Sequence, residues 1–271
     1  MLKRITIVFI SILSICSSLT AQDKKSKQEK KAEKRERINA MIKAEEEGAL
    51  VYNKQGAFGI KLNTNGYGIF YERGKYKTVR KTNNWWIGLG EIRSQKEERR
   101  TNFFQQGPAI FLGNPYIFGK INNLYNFEVG FAQQRLIGGK GNKNGVAVSL
   151  IYGGGLSAGM LKPYILSVIN QSTGEREDIS FKQDSLTFLN PSAIVGGAGV
   201  FRGWSNLEFV PGVTGKVALR FDYGRFNEVL GALEAGLNYT YYTKDVQIMA
   251  QTNPQKGFLN AYLAIVFGKR K

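Results

Sequence analysis

Residues 213–223 read Val213-Thr-Gly-Lys-Val-Ala-Leu-Arg-Phe-Asp-Tyr223, and their alternation decides the fold. One face carries Val213, Gly215, Val217, Leu219, Phe221 and Tyr223; the other carries Thr214, Lys216, Ala218, Arg220 and Asp222. A period of two belongs to a β-strand, whose successive side chains leave opposite faces of the sheet. After the short link Gly224-Arg-Phe-Asn-Glu228 the pattern resumes. Val229, Gly231, Leu233, Ala235, Leu237, Tyr239 and Tyr241 alternate with Leu230, Ala232, Glu234, Gly236, Asn238, Thr240, Tyr242 and Lys244. Two such runs joined so compactly form a hairpin.

The same texture extends in both directions. Phe258 to Phe267 alternates at the end of the chain, and Ala57–Thr64 and Tyr67–Tyr76 flank Asn65-Gly66, a strong hairpin signal. Asn84–Arg93, Ala109–Lys120, Leu124–Ile137 and Val146–Leu161 bring the strands to nine, and Pro163–Phe181 suggests a further hairpin about Ser172-Thr-Gly-Glu175. Gly145 to Leu161 is uncharged, but Gly153-Gly-Gly155 and Gly159 argue against a helix, since each helical glycine costs about 1 kcal/mol relative to alanine. Several strands reach ten residues, whereas five or six is usual in soluble sheets.

Period alone does not separate a soluble sandwich, with its apolar faces inside, from a membrane barrel, with its apolar faces turned to lipid. Strand length favours the barrel. So do aromatics near strand ends, which suit an interfacial girdle of Trp85, Trp86, Tyr223, Tyr239 and Tyr241. On that reading Lys216, Arg220, Asp222, Glu234 and Asn238 form a charge network in the lumen. The expected fold is an all-β, antiparallel, up-and-down transmembrane β-barrel of 8–10 strands, preceded by a charged N-terminal helical segment. Bacterial barrels use even strand numbers, so nine becomes ten, the favoured number, or eight. A tenth strand would come from 178–181, 186–189 or 194–202. Segments 94–107, 163–206 and 243–256 are the expected external loops, with 194–201 reaching the barrel mouth.

Composition narrows the chemistry. The 271 residues include no histidine and one cysteine. That removes Ser-His-Asp and Cys-His catalysis, histidine metal ligation and an intrachain disulfide. No catalytic residue, metal site or cofactor is expected. A carboxylate pair, Asp222 with Glu234, remains for acid–base work, but Arg220 and Lys216 share their face and point to structural ion pairs. Gly138-Gly-Lys-Gly-Asn-Lys-Asn-Gly145 lacks the spacing and following helix of a phosphate loop and reads as a turn.

The N-terminus has a different texture. Residues 1–22 have the layout of a secretory signal peptide: basic Lys3-Arg4, an apolar run from Ile5 to Ile15, then small residues, with cleavage between Ala21 and Gln22. Residues 23–48 form a charged arm in which nine basic residues oppose seven acidic ones at helical spacing. Its apolar stripe, Ile38, Met41 and Ile42, is a candidate surface for a periplasmic or envelope protein partner. Interleaved glutamates and export argue against a nucleic-acid partner. Residues 49–271 are the barrel domain.

The signal ending Leu19-Thr20-Ala21-Gln22 and the last strand, Phe258-Leu-Asn-Ala-Tyr-Leu-Ala-Ile-Val-Phe267, resemble those of small outer-membrane β-barrel proteins of the Bacteroidota. The chain departs from that pattern by adding Gly268-Lys-Arg-Lys271 after the terminal aromatic. The resemblance implies an outer-membrane location, insertion by the outer-membrane insertion machinery, and contact with outer-membrane lipid and lipopolysaccharide. Lys96, Arg99 and Arg100 are candidates for lipopolysaccharide phosphates. The expected function is that of a non-enzymatic structural or assembly subunit of a cell-envelope complex; the alternative is a small passive pore, weakly anion-favouring.

Overall fold

The structure is a computed structural model. It describes residues 52–106, 109–140, 145–170, 173–224 and 228–271, together with 28–29, 31–33, 35–36 and 39–40. The chain divides into two units, 1–47 and 48–271. In the first, the described residues are helical and exposed, as alternating charges at three- and four-residue spacing favour.

The second unit contains a closed barrel of eight antiparallel strands. We label them β1 (Lys54–Asn63), β2 (Gly66–Thr78), β3 (Lys81–Ile92), β4 (Asn122–Gly138), β5 (Ala147–Pro163), β6 (Glu208–Asp222), β7 (Val229–Val246) and β8 (Gln255–Arg270). Each strand pairs with the next, and β1 closes on β8 with Phe58 opposite Phe267. The turn between β1 and β2 needs its glycine. Gly66 has φ +151°, and a Cβ there would lie 1.9 Å from the Glu91 carbonyl oxygen. Gly153 and Gly155 let β5 approach β4, since a Cβ at either would come within 2.3 Å of a β4 carbonyl oxygen.

The outside of the wall is the apolar side. Leu62 and Leu263 are each 67% exposed, while Arg220 is 1% exposed. This inverts the burial of a soluble sheet and is the arrangement of a membrane-spanning barrel. With only eight strands the interior is narrow enough for side chains to fill.

Eight is the lower end of the expected range and corrects the preference for ten. The reason lies in 109–120 and 165–197. Ala109–Leu112 pairs with Phe103–Gln106, and Tyr116–Ile117 with Arg99–Arg100, inside the β3–β4 connection. Ile165–Ile169 and Arg176–Ser180 form the expected hairpin, but it joins Ile194–Gly197 in a separate three-stranded sheet. Of the other segments considered for a tenth strand, Ser185–Phe188 is a short helix. Strand propensity does not distinguish a wall strand from a strand in a loop. The three long connections, β3–β4, β5–β6 and β7–β8, leave from one end of the barrel; the described chain of this unit starts and finishes at the other.

The lipid-facing reading predicts that Leu263→Arg, near the middle of β8, costs about 2–4 kcal/mol, measured as a lowered denaturant midpoint in bilayer vesicles. The equivalent change at exposed Leu186, in the loop helix, is expected to shift it by under about 0.5 kcal/mol.

Candidate functional site

The chemistry of this unit is concentrated in the lumen. Alternation places Arg220 and Glu234 directly opposite each other on β6 and β7, both pointing inward. Arg220 Nε donates to Glu234 Oε2 at 2.8 Å, and its Nη2 donates to Glu72 Oε2 at 2.9 Å. Further contacts from Nη1 to Glu72 and from Nη2 to Glu234 complete the clamp. The guanidinium therefore lies between two carboxylates, both as buried as itself. Tyr262, on β8, donates to Glu234 Oε1 at 2.6 Å. Lys216 Nζ sits 4.3 Å from the Trp86 ring centroid and 5.5 Å from that of Phe70, a cation–π arrangement.

Towards the long-loop end, Lys61 pairs with Glu128 at 3.2 Å. The second Glu128 oxygen accepts from Asn126 at 2.8 Å and Asn238 at 3.2 Å. Two small cavities of about 10 Å³ each remain, and Lys61, Glu128 and Asn238 line both. Towards the opposite end, Asp222 pairs with Arg270 and lies 3.6 Å from Lys140.

A folded cap closes the long-loop end. Inward side chains of the strands, among them Ile92, Leu124, Val210, Tyr242 and Phe258, pack with Ile248 and Met249 of the β7–β8 loop. That loop bonds to the β3–β4 connection, where Ile121 N–H donates to Ile248 at 2.8 Å and Ala250 N–H to Gly119 at 2.7 Å. Beside them Lys120 and Glu97 form a buried pair at 2.9 Å. A further apolar core joins Tyr116, Leu166, Val168, Phe188 and Ile194 of the cap. Within the cap, Asp184 accepts from the Leu186 and Thr187 N–H groups. Its hydrogen bonds to Thr187, then to Leu186, hold its carboxyl below the usual carboxylate range. Burial pushes the Tyr164 phenol up, against the opposing hydrogen bond from Ile117 N–H.

The five residues expected in the lumen, Lys216, Arg220, Asp222, Glu234 and Asn238, all point inward, but into separate clusters. Asp222 and Glu234 each have their own cation. Of the expected girdle, Trp85, Tyr223, Tyr239 and Tyr241 face outward. Trp86 does not: it is 2% exposed and lies in the lumen against Lys216, because adjacent residues of a strand cannot share a face. Segment 194–197 lies in the cap sheet. Lys96, Arg99 and Arg100 are exposed in the β3–β4 connection. The stripe Ile38, Met41 and Ile42 and the cleavage position Ala21–Gln22 fall outside the described residues. Glu72, Lys61 and Glu128 were not singled out in the sequence. The signal for Glu72 was parity, since it shares a face with Phe70 and Gly74, opposite to Ile69 and Tyr71. Among the described residues no group of His, Cys, Asp and Glu is placed to hold a metal ion.

No protein-family model matches the chain, and no curated protein matches it. Solved structures similar to it are outer-membrane proteins. The attachment invasion locus protein Ail of Yersinia pestis, in complex with the heparin analogue sucrose octasulfate, is 9% identical, with 81% of this chain and 97% of that one covered and a TM-score of 0.35. Neisserial surface protein A is 8% identical, with 81% and 97% covered and a TM-score of 0.38. The N-terminal β-barrel domain of Pseudomonas aeruginosa OprF is 11% identical, with 80% and 98% covered and a TM-score of 0.33. The class of this chain, a small barrel of outer-membrane type, rests on its own strand number, closure and outward apolar wall.

Arg220→Met leaves Glu72 and Glu234 buried without their shared cation and is expected to destabilise the barrel by about 3–5 kcal/mol. The triple variant Glu72→Gln, Arg220→Met, Glu234→Gln is expected to recover much of that loss. Denaturant midpoints of the two variants in the same detergent check this.

Proposed function

We propose that this chain is an exported, non-enzymatic integral outer-membrane protein that serves as a structural or assembly subunit of a cell-envelope complex. The observation that carries the reading is the filled lumen: ion pairs occupy its length and an apolar plug closes its long-loop end. Such a barrel offers surfaces rather than a passage. The cap leaves large apolar side chains outside its cores, including Phe201 at 90% and Leu186 at 85% exposure. Side chains of this kind, beyond what a core needs, suit contact with another envelope component. The charged segment 23–48 would offer a second contact on the periplasmic side.

The non-enzymatic reading is supported by the pairing of both candidate carboxylates, Glu234 with Arg220 and Asp222 with Arg270. Export through the signal at 1–22, assembly by the outer-membrane insertion machinery and membership among Bacteroidota barrels belong to the same proposal. The pore alternative would require the Arg220 clamp and the cap plug to move aside together.

Purification of the native protein in mild detergent is expected to recover partners in fixed stoichiometry, and a protein recovered alone would overturn the subunit reading. In planar bilayers the wild type is expected to show no steady conductance. Stepwise conductance that changes with Arg220→Ala would instead establish the pore.

A further inference from the structure

Neither the lumen nor the cap uses the outward face at the turn end of β8, β1 and β2. There Lys269, Gly56 and Arg73 lie side by side in one cross-strand row. The next row repeats the arrangement with Lys271, Lys54 and Lys75. Lys54 and Lys271 exchange backbone hydrogen bonds of 2.7 and 2.8 Å, and Lys54 stands opposite Lys75. Parity puts these five cations on the same outer face as Phe58, Tyr71 and Phe267. Two strands further round, Lys81 stands opposite Arg135.

Like charges directly opposed on a sheet face destabilise it, so this grouping calls for a counter-charge. Among the described residues no side-chain carboxylate forms an ion pair with any of the five cations. Glu72, on β2, and Asp222, at the turn end of β6, face inward and are held by Arg220, Arg270 and Lys140. Among the described residues, then, the grouping has no anion of its own, and an anion bound there would meet that need.

The shape of the surface indicates its source. Adjacent strands lie about 4.8 Å apart, so the Cα atoms of Arg73 and Lys269 stand about 10 Å apart, a span their long side chains can close around one phosphate. Between them Gly56 leaves the floor bare, and a Cβ there would meet only the Tyr71 hydroxyl, at 3.5 Å. Immediately along the same faces begins the aromatic and aliphatic band. Tyr71 and Trp85 meet edge to face at 5.9 Å, and Phe58 lies opposite both Tyr71 and Phe267. Cations at the margin of an apolar wall match the order of a lipid, with its phosphate at the surface and its acyl chains inward.

We propose that this patch binds an anionic phospholipid of the leaflet at the turn end. Arg73 and Lys269 hold its phosphate over Gly56, and Lys54, Lys75 and Lys271 add positive field around it. The acyl chains lie on Phe58, Tyr71 and Phe267. The site rests on the membrane-spanning reading of the barrel and names the lipid it selects.

The test uses the full mature chain in nanodiscs of phosphatidylcholine containing a minor share of phosphatidylglycerol, with retained lipid counted by mass spectrometry after transfer to detergent. Phosphatidylglycerol is expected to be enriched about tenfold over phosphatidylcholine, in line with the attraction of several basic residues to an anionic surface. The pair Arg73→Gln, Lys269→Gln should abolish the enrichment. Gly56→Leu, which keeps every charge but fills the floor, should reduce it severalfold. Neutralising Lys96, Arg99 and Arg100 at the other end should leave it unchanged. Equal retention of the two lipids by the wild type would overturn the proposal, as would enrichment that survives both turn-end variants. Displacement of the lipid by millimolar glycerol phosphate would also overturn it, marking a site for soluble anions. Heat-dependent gel migration of each variant reports on the barrel itself, so failure of the membrane reading is distinguishable from failure of the lipid site. If the charge variant does not fold, the wild type and Gly56→Leu decide the matter.

Discussion

The structure depends on compensating charge inside a wall that faces lipid. Arg220 cannot leave its charge in water, because its strand presents Leu219 and Phe221 to the outside and itself to the lumen. Two carboxylates, Glu72 and Glu234, surround it, and Lys216 stands close by over Trp86. Two anions and two cations thus occupy the middle of the barrel, where an unmatched charge would be very costly. The same rule governs the other levels, with Lys61 against Glu128 and Asp222 against Arg270. Polar filling of this kind lets a narrow cylinder remain packed while its greasy side chains point outward.

The two ends of the cylinder follow different physics. At the long-loop end the connections have enough apolar residues to build cores of their own, so Phe188, Leu166 and Ile194 form a folded cap. At the turn end, short connections have no room for a core. The chain there is distinguished by charge placement, with Asp222 held inside by Arg270 and a group of further cations on the outer face. A filled cylinder with one structured end and one basic end is suited to holding position in a membrane and presenting surfaces to its surroundings.

Much of this was legible in the alternation of β6, β7 and β8. The inward and outward sets read from 213–242 are the sets the structure displays, with Lys244, grouped with the inward set, exposed beside Glu208. Arg220 and Glu234 were read onto one lumen face, and the register that sets them opposite each other came from the structure. Other features were not legible. Trp86 was grouped with its neighbour by residue type, although consecutive strand residues face opposite ways. Ala109–Lys120 has the composition of a wall strand, yet it pairs within its own loop. Glu72 is 148 residues from Arg220 in the chain, and the barrel interior brings them together.

The sequence by itself determined the period of each strand, and with it which side chains could share a face, because alternation is a property of the local backbone. It also determined the lack of histidine chemistry. Only the tertiary structure decided which face points inward at each segment, which strands belong to the wall, and which charges meet across the lumen. Those outcomes depend on closure of β1 against β8, a pairing between opposite ends of the domain that no local pattern encodes.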